Sequence, residues 1–291
     1  MRIDDFIPWT DRTGRFSRLR ATAFAAAVSP AAWIAIAFST GGLGAEPLKE
    51  ATHLTGTWTL YFLLASLAVT PLKGLLGWTR LIGIRRMLGL TAFGYIAAHL
   101  ALYVGDQNWD LAKAVSEITS RIYLTIGFAA LIGLAALAAT SFDAAIRRLR
   151  RNWKRLHRTV YLLAALGLLH FFLQSKSDVS QAVLLSGVFI GLMLHRAPTV
   201  SRTPAGVLGV AVFSGVAAAA LEFAWYAAGS GIPAERVLLS NLDFSYQVRP
   251  MWWVMAILAA PLPVMLARRS SPWGQIARLM RGAVPRRRPS D

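Results

Sequence analysis

At 291 residues the chain has room for one or two soluble domains, yet 55% of it is hydrophobic and only 15% is charged, where a soluble domain carries about 25%. The net charge of +17 comes from Lys and Arg clustered between long apolar runs, which leaves no soluble fold to present a basic face and excludes a nucleic-acid-binding protein. With no cysteine present, disulfides, iron–sulfur clusters, zinc–thiolate sites and covalent CxxCH haem attachment are excluded together, so any haem must be b-type.

A membrane-spanning helix needs about 20 mostly apolar residues. That ruler predicts spans at 21–40, 57–72, 87–104, 122–140, 159–173, 179–194, 205–228 and 251–266, an all-α integral membrane bundle of about eight transmembrane helices. The fifth and sixth are short as written, and their helices are expected to extend into the flanking segments. The first apolar run is too long for the h-region of a cleavable signal, and more spans follow it.

Eight spans place both termini on one side. The N-terminal tail, the alternate loops and the C-terminal tail hold 25 of the 31 Lys and Arg residues. The opposite loops hold the other six (Lys49, Lys113, Arg121, Lys176, Arg236 and Arg249) together with eight of the fourteen acids. Positive-inside bias then predicts cytoplasmic termini and a multi-pass protein of the bacterial inner membrane. The tails, 1–20 and 268–291, read as basic arms on anionic membrane lipid. No GxGxxG or Walker-type run occurs, so electrons or energy are expected from outside the chain.

The five histidines differ in depth. His99 and His170 lie near the outer ends of the third and fifth spans, His99 about five residues or ~7 Å from its end and His170 at about the same depth. His157 marks the inner mouth of the fifth span, His53 falls in the first outer loop, and His195 ends the sixth span at the surface. A haem iron has axial positions on both faces of the ring, so two histidines at matched depth on different helices are what a bis-His site requires. The plainer reading, two interfacial or packing histidines, stays open on composition alone. His157 lies thirteen residues, or ~20 Å of rise, before His170, which would suit a second haem near the inner face. The third span offers that haem no histidine, only Arg85 and Arg86; arginine serves more readily as a propionate partner or a topological anchor than as an iron ligand.

Three segments carry a family resemblance: GGLGAEPLKEATHLTG at 41–56, IRRMLGLTAFGYIAAHL at 84–100 and RLHRTVYLLAALGLLH at 155–170. In order and spacing they resemble an outer loop and the third and fifth spans of the MsrQ family, formerly YedZ, within the ferric reductase-like transmembrane group. The resemblance covers roughly 20–200. It implies that His99 and His170 ligate an outer haem b and that His157, with Arg85, serves an inner one. It implies electrons taken from the quinone pool or a cytoplasmic flavin reductase and passed to MsrP, a periplasmic molybdopterin subunit that reduces methionine sulfoxide. FMN is associated with the family too, though no local motif places it.

The expected division is a basic tail at 1–20, a haem-binding core at 21–200, a two-helix extension at 201–267 and a basic tail at 268–291. Six spans are typical of the family, so the extension is a departure. Within it Glu222 reads as an interfacial acid, and Glu235, Arg236, Asp243 and Arg249 as parts of a solvated loop. Trp109, Trp252 and Trp253 read as interfacial anchors. The alternatives are a stand-alone ferric reductase, the cytochrome b anchor of another oxidoreductase, and a small-molecule transporter. The last is disfavoured because no internal repeat is found and the histidines lie toward the faces.

Overall fold

The structure is a computed structural model, and it describes residues 8–10, 13–175, 178–228, 231–245 and 247–270. Lys176 and the tail residues 1–7, 11–12 and 271–291 fall outside the described residues. Among those described, the chain is helical apart from turns and one isolated bridge, Thr10 to Phe16. It is an all-α membrane protein.

The helices are α1 (Arg18–Ser39), α2 (Pro47–Leu76), α3 (Arg85–Asp106), α4 (Leu111–Ser120), α5 (Ile122–Ala139), α6 (Asp143–Leu149), α7 (Arg151–Arg158), α8 (Val160–Gln174), α9 (Ser180–Leu194), α10 (Pro204–Ala227), α11 (Ala234–Leu239), α12 (Pro250–Ala259) and α13 (Leu262–Ser270). Among the described residues seven helical stretches are long and apolar enough to cross a membrane, with α7–α8 and α12–α13 each counting as one. The sixth predicted span, α9, has only 15 residues and does not extend as expected. The fifth does extend, back through α7 to Arg151.

The largest difference from the sequence reading is at α2. It starts at Pro47, ten residues before the predicted span, because Pro fits the first helical position and Lys49, Glu50 and Ala51 are good helix formers. His53 is therefore on a helix, where a loop was expected. Gly77, at φ 62°, ends α2 in the left-handed conformation that glycine adopts without a Cβ clash. Asp110 caps α4 by accepting from the Lys113 amide, and Thr203 caps α10 ahead of Pro204.

α2 is the axis of the bundle and is flanked by α1, α3, α8 and α9. Leu60, Leu63, Leu64 and Leu67 of α2 form one core with Leu88 and Ala92 of α3, Leu134 of α5 and Leu163 of α8. Pro30 would leave a gap in the backbone ladder of α1, and a neighbour occupies it. The Tyr95 hydroxyl donates to Ala27 O and accepts from Ala31 N, both at 2.9 Å, standing between groups that an unbroken helix would bond directly. Tyr95→Phe should cost about 1–3 kcal/mol by stranding the buried Ala27 carbonyl and the part-buried Ala31 amide. A lowered thermal midpoint of the detergent-purified protein would register it.

A second core joins Phe172 of α8, Val179 and Val183 of the α9 segment, Ala218 of α10, and Val254 and Leu258 of α12. Small residues permit the close approach: Gly187 faces Val254, Gly191 faces Leu258 and Gly215 faces Met255. Inside this packing lies an ion pair the sequence reading did not anticipate. Glu222 is 1% exposed and accepts from Arg249 at 2.6 Å, so neither is the solvated or interfacial residue expected. Its second oxygen and Arg249 Nε have no hydrogen-bond partner among the described residues. Trp252 donates to Asn241 O at 2.7 Å, while Trp109 and Trp253 are exposed.

Arginines of the basic face also act as ties. Arg196 donates to Leu192 O at 2.6 Å and to Leu67 O, and sits 5.3 Å over the Tyr161 ring. His195 ends α9 buried, where a surface position was expected.

Candidate functional site

α3 and α8 each bring one histidine to the end of the bundle remote from the basic loops. The rings of His99 and His170 face one another with centroids 6.3 Å apart and planes at 85°. Each ring is pinned. His99 Nδ1 is 2.7 Å from Thr52 O of α2, and His170 Nδ1 is 2.7 Å from Tyr123 O of α5. A carbonyl only accepts, so both Nδ1 atoms carry the proton and both Nε2 atoms keep the lone pair.

The two pins are built alike. In each case the carbonyl lies 47 residues before the histidine and four before a glycine, Gly56 in α2 and Gly127 in α5. A helical side chain leans back over the preceding turn and would cover that carbonyl, so glycine leaves it open to the ring. A Cβ at Gly56 would come within 3.0 Å of His99 Nδ1, and one at Gly127 within 2.8 Å of His170 Nδ1. Two helix pairs, α2 with α3 and α5 with α8, thus present an imidazole by the same device.

Both rings line one cavity of about 490 Å3. Its deep wall is apolar, with Leu60, Leu63, Leu131, Leu134 and Leu163; its rim is polar, with Glu50, His53, Tyr103, Gln174, Asp178 and Gln181. Asp178 has its carboxyl held below the usual range by hydrogen bonds from the Ser180 backbone N–H and hydroxyl. An ion held between two imidazoles at ~2 Å from each nitrogen, with the ring centres ~1 Å further out, sets the centroids about 6 Å apart. The separation, the two free Nε2 atoms and the apolar wall therefore fit a flat metallocofactor held through both faces.

The other predicted site residues lie elsewhere. His157 stacks on Trp153 at 3.9 Å; its Nδ1 is 3.2 Å from Trp153 O and its Nε2 3.4 Å from Ser141 Oγ. Arg85 opens α3, where its carbonyl accepts from Ser66 Oγ at 3.3 Å, and it lies within electrostatic reach of His157. Arg86 pairs with Asp143 at 2.6 Å on the basic face. Among the described residues no second histidine faces His157, and no group of three or more His, Cys, Asp or Glu forms a metal cluster. Gly56, Gly127 and Tyr103 were missed in the sequence. The signal for the glycines is the shared spacing of 43 residues to each histidine, visible only once the two histidines are aligned.

Residues 55–168, which hold His99 and end two residues before His170, match the model of a family described as ferric reductase like transmembrane component. Over 200 residues the chain is 42% identical to the protein-methionine-sulfoxide reductase heme-binding subunit MsrQ of Rhodospirillum rubrum, covering 67% of this chain and 93% of that one. It is 43% identical over 180 residues to the MsrQ of Xanthomonas oryzae pv. oryzae (60% and 83% covered) and 38% identical over 182 to that of Herminiimonas arsenicoxydans (61% and 84%). No solved structure matches the chain. The chain belongs to the MsrQ family.

Proposed function

We propose that the chain is the haem b-carrying electron-transfer subunit of a methionine sulfoxide reductase system, with His99 and His170 as the residues that would hold the haem. Electrons enter from quinol or a cytoplasmic flavin reductase and leave to a periplasmic molybdopterin partner, MsrP. The observation that carries the reading is the pinned imidazole pair, 6.3 Å centroid to centroid, over an apolar cavity. The family membership supports the partner. Positive-inside bias supports an inner-membrane location with the basic face cytoplasmic, which turns the cavity rim toward the periplasm. The division into a core at 21–200, an extension at 201–267 and basic arms at 1–20 and 268–291 belongs to the same reading.

Haem supplies one-electron chemistry at iron. The residues supply position and environment. Thr52 O and Tyr123 O orient the two rings and, by accepting from Nδ1–H, make each Nε2 a better donor. The leucines of the deep wall keep water from the site. Gly127→Ala should weaken haem binding roughly thirtyfold, because it forces the His170 ring off its rotamer and costs the bond to Tyr123 O. Gly56→Ala should do less, its clash being milder. Haem titration of the apo-protein compares the two.

For the inner position the reading assigns His157, with Arg85 nearby and Arg86 beside it. His157→Ala should halve the pyridine haemochrome per chain; an unchanged value would limit the protein to one haem. The function is tested by reducing the protein in vesicles and adding MsrP with methionine sulfoxide. Reoxidation that needs both additions supports the assignment. Reoxidation by ferric chelates alone, with none by MsrP, would favour a stand-alone ferric reductase.

A further inference from the structure

The cavity has a direction. Its deep wall is leucine and its rim carries the polar side chains, while a haem is itself amphipathic, with two carboxylates on one edge and hydrocarbon on the other. One rim group has no use in the fold. Tyr103 stands one turn beyond His99 on α3 and lines the cavity, and its hydroxyl is buried without a hydrogen-bond partner among the described residues. Buried hydroxyls are ordinarily satisfied, so an orphan facing a ligand cavity points to the ligand.

No Lys or Arg lines the cavity, and three of the cations at this end are paired. Lys49 pairs with Glu46 at 2.8 Å, Arg121 with Glu117 at 2.7 Å, and Arg249 with Glu222 at 2.6 Å. Gln181 already donates to the Tyr61 hydroxyl at 2.6 Å. Glu50 and Asp178 are anions that repel a carboxylate. His53 is exposed and Gln174 only partly buried, so of the rim donors the Tyr103 O–H is the one buried without a partner among the described residues.

We propose that Tyr103 donates a hydrogen bond to a haem propionate, so that the cofactor sits with its carboxylate edge at the rim and its hydrocarbon edge against the leucine wall. This rests on the haem reading above and adds the orientation of the ring to it. The carboxylate edge then faces the side on which an external acceptor docks. Tyr103 is a positioning residue: it lies outside the axial pair and acts through the propionate.

The test is Tyr103→Phe in the full chain, purified in detergent beside the wild type. Three readouts are taken: haem per chain, the propionate bending band in resonance Raman, and the rate of haem transfer to excess apomyoglobin. The variant should keep its haem, since both histidines remain, but shift the propionate band. It should lose haem about tenfold faster, as expected for one hydrogen bond to a charged group. Reconstitution with haem dimethyl ester, whose carboxylates are blocked, should remove most of the difference between the two proteins. An unchanged band and loss rate in a haem-loaded variant would overturn the orientation and leave the haem reading standing. A wild type that takes up no haem would overturn both.

Discussion

Replacing His99 or His170 with alanine should yield a protein that inserts and folds but comes out of purification without the haem of the far cavity. Each ring provides one of two facing Nε2 atoms, and nothing else lining that cavity is an imidazole in a position to replace it: His53 stands at the rim, on the first turns of α2. The hydropathy that drives insertion is untouched, since α3 and α8 lose one polar ring each. Any haem that stays should turn high-spin, because an axial position has opened. The pyridine haemochrome per chain and the reduced-state band shape report both effects. Full low-spin haem in both single variants would remove the pair from the site.

The second large effect is expected at the buried ion pair of the α10–α12 packing. Glu222→Ala leaves Arg249, only 14% exposed, without its carboxylate, and breaking a buried pair in this way costs about 3–5 kcal/mol. Replacing the pair together, Glu222→Leu with Arg249→Met, should recover most of that loss, since it leaves no charge uncompensated. Thermal unfolding in detergent, followed by circular dichroism, distinguishes the two. A double variant as unstable as the single one would show that the cost lies in lost packing and not in an orphaned charge.

Much of the helical layout was legible because hydropathy is a one-dimensional signal. It failed at α2, where Lys49 and Glu50 interrupt the apolar run but sit on the first turn, a position in which a helix end can remain in water. It also overextended α9, which stays at 15 residues. The meeting of His99 with His170 was legible from matched depth. The device that aims the rings was not, because glycine is common in membrane helices and Gly56 and Gly127 differ from their neighbours only when the imidazole against them is seen. Arg249 could not be matched to Glu222 in advance, since the two stand 27 positions apart in the sequence. Tyr103 carried no signal at all: its meaning lies in a hydroxyl with no partner.

The most direct test of the haem assignment is the optical spectrum of the detergent-purified protein, oxidised and then reduced with dithionite. Two neutral imidazoles on one iron predict a sharp Soret shift on reduction, with resolved α and β bands of a low-spin b-type haem. A featureless spectrum after haem-supplemented expression would contradict the account and leave the facing histidines as packing residues.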